Sequence, residues 1–335
     1  MAELRVDLDA IRHNTKVVAG LLAQRGIRLV AVTKGCAGDV TVAGAMLDGG
    51  ADALADTRDA HLRRLREAFP GVELHRIYLP CFSKAFEPGD ISYVSSVEAA
   101  TRVAELGDSS GTRSVMVQVE TGDLREGAPA EDLAPLLRAA SADPRLELVG
   151  LSTNYACFHG DAAGIQASVE TLAEAVRSAR SSGFEVPRVS GGNSSLLGLL
   201  IDGVELPSEV TELRCGEALL LGREALQYRP LPDCRRDAVL LRAEVLESYT
   251  KGAPGTKSAP GRRLVLGLGH QDIGFGEVEF RSSELRELGR SSDYMVVGVA
   301  PGASTPRPGD SVEMLPSYVA VATAWMSPFA EVRID

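Results

Sequence analysis

Between Ile27 and Cys215, short apolar or β-branched runs alternate with segments of helical periodicity, and this rhythm limits the fold more than any other feature. Strand candidates fall at residues 29–33, 53–55, 74–79, 91–94, 115–120, 146–152, 188–190 and 212–214. Helical patterns at residues 40–49, 59–67, 97–105, 133–140 and 163–182 lie between most of them; residues 79–90 carry too many breakers for a clear helix. Strands that alternate with helices form parallel sheets, and eight such strands close into a barrel. Residues 4–8 read as a half-buried strand, and residues 10–22 as a helix capped by Asp9. Past Tyr228 the rhythm changes: runs at 239–247, 264–267, 294–299, 312–314 and 318–323 are divided by Gly, Pro and Ser turns. The expectation is an α/β chain, a (β/α)8 TIM-type barrel over residues 10–228 followed by a C-terminal antiparallel β domain from residue 229.

The first barrel strand ends in Val32-Thr-Lys34-Gly, and Gly38-Asp39 then turns the chain into a helix. Barrel enzymes place their chemistry at the carboxyl ends of the strands. There the stem of Lys34 would be buried and its amine would face the mouth. Desolvation lowers an amine pKa, which makes Lys34 a candidate Schiff-base nucleophile and general base. The competing reading is a lysine that leaves a strand end into solvent. Other strand ends carry Thr121-Gly-Asp-Leu-Arg125, Thr153-Asn-Tyr155, Gly191-Gly-Asn-Ser-Ser195 and Arg214-Cys-Gly-Glu217. The Gly-Gly-Asn-Ser-Ser loop reads either as an anion cradle or as a glycine turn whose Asn-Ser caps a helix.

Composition removes several classes. A net charge of -11 over 335 residues, with no long basic run, argues against a nucleic-acid partner. No apolar stretch reaches the roughly 18 residues a membrane span needs, and the N-terminus lacks the apolar core of a signal peptide. The five cysteines are widely spaced, with neither metal-ligand spacing nor a disulfide framework, which points to a reducing cytoplasm and no metal.

Taken in order, Val6-Asp-Leu-Asp-Ala-Ile-Arg-His-Asn14, Val32-Thr-Lys-Gly-Cys-Ala-Gly-Asp39, Gly122-Asp-Leu-Arg-Glu-Gly127, Thr153-Asn154, Gly192-Asn-Ser-Ser195, Arg214 to Gly222 and His270-Gln-Asp272 resemble the alanine-racemase-like, fold-type III pyridoxal-phosphate enzymes, above all their ornithine-racemase-type branch. The resemblance covers nearly the whole chain. It implies the cofactor pyridoxal 5'-phosphate, bonded to Lys34, and cofactor contacts from Asn154, Ser194, Arg214 and the backbone of Gly216 and Glu217. Arg214 would face the pyridine nitrogen, and Ser194 the phosphate. Arg125, Ser292 and Asp293 would bind substrate. The first strand would join the second domain, which then comprises residues 1–9 and 229–335. The phosphate-contacting tyrosine of alanine racemases has no clear counterpart, since Ser327-Pro-Phe329 stands there. A head-to-tail homodimer with shared active sites is also implied, with the second base, Tyr249 or His270, supplied by the partner.

The implied activity is amino-acid racemisation or epimerisation, an isomerase reaction in which Lys34 moves the Cα proton on one face and the second base acts on the other. The acidic residues Asp39, Asp123, Glu126 and Asp272 offer a carboxylate to a basic substrate such as ornithine, or serve as turn and cap residues. Two alternatives remain: a decarboxylase of the same fold, and a non-catalytic carrier of the cofactor. Decarboxylases of this fold place a glutamate where Arg214 stands and a cysteine before the aspartate, where this chain has Ser292-Asp293. The carrier type lacks a C-terminal β domain.

Overall fold

The computed structural model describes residues 2–106, 111–157, 160–251 and 261–335. These form two compact units, one of residues 11–34 and 38–234, the other of residues 1–10, 35–37 and 235–335.

In the first unit, eight parallel strands close into a barrel: β2 (Arg28–Val32), β3 (Ala53–Asp56), β4 (Leu74–Arg76), β5 (Ile91–Val94), β6 (Arg113–Gln118), β7 (Leu146–Ser152), β8 (Arg188–Asn193) and β9 (Glu212–Cys215). Closure is direct, since β2 pairs with β3 on one side and β9 on the other. The expected barrel is therefore present. Its strands alternate between two environments, as the two-residue period of a strand requires. On β5, Ile91 and Tyr93 pack with Met116 on one face, while Val94 joins Val115, Val117, Leu136 and Leu172 on the other.

The helices are set by caps and apolar stripes. They are α1 (Leu8–Ala23), α2 (Val40–Asp48), α3 (Asp59–Ala68), α4 (Val97–Ala104), α5 (Ala130–Ala142), α6 (Ala162–Ser181), α7 (Leu197–Ile201) and α8 (Glu217–Leu221). In α6 the Asp161 carboxylate accepts from the Gly164 N–H. The buried Ile165, Val169, Leu172, Val176 and Ala179 of this helix then recur at the helical period. One expectation is corrected: α1 starts two residues early, and Asp7, not Asp9, accepts from the Ala10 N–H (2.9 Å). Among the described residues no helix joins β4 to β5, as the breakers in that segment imply.

The second unit holds an antiparallel sheet in the order β12 (Val278–Phe280), β15 (Ser311–Pro316), β10 (Val239–Lys251), β11 (Gly261–Leu266), β14 (Met295–Val299), β13 (Leu285–Arg290). The strand β1 (Ala2–Val6) pairs antiparallel with β10 and parallel with β16 (Glu331–Ile334). A second correction falls here. Residues 318–323 form no strand but open the helix α10 (Tyr318–Met326). The Ser317 hydroxyl caps it by accepting from Ala320 N–H, and the interleaved alanines let β-branched neighbours sit in a helix. Between Val245 and Glu247 the pairing with β11 slips by one residue, a β-bulge that resets every later side chain of β10, Tyr249 included.

Candidate active site

Lys34 opens a single 3-10 turn directly after β2. The preceding residue fixes its approach. Thr33 is fully buried, and its hydroxyl donates to the Asp56 carboxylate at the end of β3 (2.6 Å). The other Asp56 oxygen accepts from the Thr57 and Arg58 N–H groups and faces His61 Nδ1 at 2.9 Å, so this buried carboxylate is saturated by partners. Lys34 itself is open to solvent along part of its side chain. Protein nevertheless surrounds its amine, and this desolvation lowers the amine pKa from its ordinary 10.5. The charges of Arg125 and Arg214 push the same way, while Cys157 and Asp56 oppose them. Exposure and desolvation agree if the amine lies recessed in a concave mouth, where substrate can reach it and bulk water solvates it poorly.

Arg214, on β9, is 5% exposed. Its Nη1 donates to the Ser190 hydroxyl (2.5 Å) and its Nη2 to the Thr153 carbonyl (2.7 Å), and its guanidinium lies over the Tyr93 ring. A buried cation fixed by acceptors on two sides is a preset partner for a further acceptor in the mouth.

The Ser194 hydroxyl accepts from the N–H groups of Gly216 (3.3 Å) and Ala218 (3.4 Å). The first N–H groups of α8 thus converge on one oxygen, beside a loop in which Asn193 caps Ser195. A side chain at Gly216 would put its Cβ 2.9 Å from the Val32 carbonyl, so only glycine lets the backbone come this close. The Asn-Ser capping seen at sequence level is realised, and the donors of an anion cradle coexist with it. The Glu217 carboxylate accepts from Arg223 (3.0 Å); burial raises its pKa against that cation.

Arg125 Nε donates to Asp123 (3.1 Å) and to Glu126 (2.6 Å), and its Nη2 lies 3.3 Å from the Cys157 sulfur. Asn154 Nδ2 also points at that sulfur (2.9 Å), and Asn193 Nδ2 donates to the Asn154 oxygen (2.9 Å). Burial raises the Glu126 pKa, Arg125 lowers it and Asp123 raises it again. Of the four acids considered for a substrate amine, two are structural. Asp39 accepts from Thr41 and Val42 N–H at the start of α2, and Asp272 accepts from Gly269 N–H. Asp123 and Glu126 are partnered too, Asp123 by the Cys157 N–H (3.1 Å) and Glu126 by Gln118 Nε2 (2.9 Å), each besides Arg125.

The second unit joins His270, Gln271, Ser292 and Asp293 in one cluster. His270 lies in a one-turn helix, α9 (His270–Ile273), and not in an open glycine turn. Its N–H donates to Ser291 O, Gln271 N–H donates to Ser292 O, and Gln271 Nε2 donates to Asp293 (3.2 Å). The His270 Nδ1 contacts the Gly274 carbonyl (2.8 Å), which places hydrogen on Nδ1 and leaves Nε2 as the acceptor. A side chain at Gly269 would strike the Ser292 carbonyl. Tyr249 stands apart from this cluster in sequence and sheet position, paired with Arg263 on β11. Within the same unit, a Cβ on Gly35 would lie 2.6 Å from the Tyr318 ring. The sequence reading assigned this tyrosine to a strand.

Sequence reasoning also passed over Cys157, Tyr93, Ser190 and His75. The signal was present for three of them: each falls on a barrel strand at two-residue spacing from another inward-facing residue. A lone polar residue in such a run has no visible partner until the strand opposite is known.

These residues fit a phosphorylated aldehyde cofactor: an amine with lowered pKa, a fixed cation, and backbone N–H groups converging with a serine. Comparison with known proteins agrees. Residues 6–224 match the family described as "Alanine racemase, N-terminal domain". The ornithine racemase of Acetoanaerobium sticklandii is 26% identical over 98% of both chains. The lysine racemase of Thermotoga maritima is 28% identical over 98% of this chain and 97% of its own. The crystal structure of alanine racemase from Corynebacterium glutamicum superposes with a TM-score of 0.76 at 19% identity, covering 100% of this chain and 99% of that one, a likeness of fold. The chain therefore belongs to the family of the alanine racemase N-terminal domain.

Proposed function

We propose that this protein is a pyridoxal-phosphate-dependent amino-acid racemase that acts on basic amino acids. The observation that carries the reading is Lys34, directly after β2, with its pKa lowered by desolvation, on the same barrel as the buried, doubly anchored Arg214. Lys34, Arg214, Ser194, Asn154 and the backbone of Gly216 and Glu217 would hold the cofactor. Once bound, the cofactor supplies delocalisation of the negative charge left at Cα. The amine of Lys34 removes or returns the Cα proton on one face, a role that its pKa, lowered by desolvation, favours. Arg214, held as a cation, would donate to the ring nitrogen of the cofactor, which would limit the electron sink and favour prompt return of the proton to Cα. A glutamate there would do the opposite, so decarboxylation is disfavoured. Arg125, with Ser292 and Asp293, is proposed to bind the substrate carboxylate.

The proposal for a basic substrate is supported by relatives named for ornithine and lysine, with Asp123 and Glu126, the two acids that lie on Arg125, as the carboxylates proposed to meet the side-chain amine. The second base is proposed to be Tyr249 or His270 of a partner chain in a homodimer. The Nε2 acceptor of His270, left by the Nδ1 contact with Gly274, suits that task, and the exposed Phe275, Tyr294, Met326 and Phe329 of the sheet unit suit burial against a second copy. A cytoplasmic location is consistent with five cysteines outside any disulfide.

The decisive experiment incubates the cofactor-loaded enzyme with single enantiomers of ornithine, lysine and alanine in deuterium oxide. Deuterium should enter Cα with loss of optical rotation and no carbon dioxide, and a visible cofactor band should vanish in Lys34→Ala. Stoichiometric carbon dioxide would overturn racemisation. Activity confined to small apolar amino acids would overturn the substrate class. Removing the second base should stop exchange from one enantiomer alone; if neither Tyr249→Phe nor His270→Ala does so, both assignments fail.

A further inference from the structure

The interior of this barrel departs from the apolar filling of branched side chains that such barrels use. Across the lumen, Arg214 on β9 lies over the Tyr93 ring on β5, with the guanidinium carbon 5.0 Å from the ring centre. The Tyr93 hydroxyl meets His75 Nδ1 on β4 at 3.2 Å, and His75 Nε2 meets Glu73 at 2.9 Å. A carboxylate accepts only, so the hydrogen sits on Nε2 and Nδ1 accepts from Tyr93. Arg188, on β8, donates to both Glu73 oxygens (2.8 and 3.0 Å) and to Glu212 (2.6 Å). Glu212 lies two residues before Arg214 on β9, which closes the circuit.

In a closed ring of eight, β4 faces β8 and β5 faces β9, so the contacts span opposite walls. Tyr93, His75 and Glu212 are almost fully buried, and one Glu212 oxygen has no hydrogen-bond partner. Such a polar column is costly. A buried ion pair replaced by apolar residues of equal volume is often neutral or stabilising, so stability alone does not account for it. What the column does connect is the floor of the barrel to the cation in its mouth.

We propose that Tyr93 is a positioning residue for Arg214: its ring supports the guanidinium face, and His75 with Glu73 locks the ring in place from below. The proposal deepens the reading of Arg214 as the cofactor-facing cation and rests on it. With its face supported and its two Nη groups held by Ser190 and Thr153, the guanidinium keeps one orientation. Slack in that orientation weakens the control that disfavours proton return elsewhere than Cα, so the predicted consequence of losing Tyr93 is leakage into 2-oxo acid formation, with the substrate amino group left on the cofactor.

The test uses Tyr93→Leu, Tyr93→Phe and His75→Gln, with thermal midpoints to confirm folding. In the cofactor-free protein, nitrogen-15 NMR of labelled arginine, with Arg214 assigned through Arg214→Lys, reads rotation of the guanidinium. Rotation should speed up at least tenfold in Tyr93→Leu and less in the other two. In the loaded enzyme, 2-oxo acid per racemisation turnover should rise at least tenfold in Tyr93→Leu, while Tyr93→Phe, which keeps the ring, restores most of the control. A folded Tyr93→Leu with both readouts within twofold of the unmodified protein overturns the proposal. If Tyr93→Leu does not fold, unchanged rotation in both Tyr93→Phe and His75→Gln overturns it equally. A protein that binds no pyridoxal phosphate refutes the functional reading instead, and the cofactor-free rotation still decides the role of Tyr93.

Discussion

Arg188→Met offers a quantitative test of the barrel-floor network. The side chain of Arg188 is 18% exposed and bridges Glu73 (30%) to Glu212 (1%). Its removal leaves Glu212 as a buried charge whose only strong donor is gone. Breaking a buried pair from one side costs about 3–5 kcal/mol, and the partial exposure of Glu73 places the expectation near the lower end, about 3 kcal/mol. With a urea dependence of about 3 kcal/mol per molar, the midpoint falls by about 1 M. Far-UV circular dichroism follows the helices of the barrel unit, and the single tryptophan, Trp325 on α10, reports the sheet unit as an internal reference. The pH dependence has a definite sign. Burial pushes the Glu73 carboxyl up, but hydrogen bonds and charges from His75 and Arg188 outweigh it and hold the pKa below the ordinary range. A depressed carboxyl contributes stability that is present above its unfolded pKa, about 4.3, and is lost as pH falls through the folded value. Arg188→Met forfeits that contribution. The gap between the two proteins should therefore stay level from pH 7 down to about 5 and narrow only below about 4.3. A midpoint shift under about 0.3 M at pH 7, or a gap that widens as pH falls, would refute the reasoning.

Three further outcomes are expected. In the cofactor-free protein Lys34, with its pKa lowered from 10.5, should react with an amine-acylating reagent at pH values where other lysines do not, as read by peptide mass spectrometry. The same shift means the unfolded chain binds more protons in the window below 10.5, so stability should rise with pH there relative to Lys34→Met; a flat difference contradicts the lowered value. Gly216→Ala, which forces a Cβ to 2.9 Å from the Val32 carbonyl, should weaken pyridoxal phosphate binding at least tenfold in an absorbance titration while leaving the secondary structure intact. Asp39→Ala, which removes the acceptor for Thr41 and Val42 N–H, should cost about 1 kcal/mol in urea unfolding and leave substrate preference unchanged, since its role is to cap α2.

Much of the architecture was legible in the chain because it is written in local periodicity. Eight runs separated by helical spacing demanded a closed parallel sheet, and each of the eight expected strands overlaps an observed one. Lys34 was legible for a related reason: a cation that ends a buried run, ahead of a Gly-Asp turn, belongs at a barrel mouth. The misreadings arose where local preference and context diverge. Valine, threonine and tyrosine in residues 318–323 favour a strand, yet the Ser317 cap and the intervening alanines admit a helix. Asp272 looked free to meet a substrate, but its carboxylate is consumed by the Gly269 N–H.

What the sequence determined by itself was the barrel, the placement of the lysine and the order of the motifs along one rim. What only the tertiary structure decided was which polar residues meet. His75, Tyr93, Arg188 and Glu212 come from four strands, and only closure of the ring sets β4 against β8 and β5 against β9. Periodicity states which face of a strand points inward, because that is fixed by neighbouring residues. The side chain awaiting it across the lumen is fixed by the sum of every pairing in between, and no local stretch of the chain contains that sum.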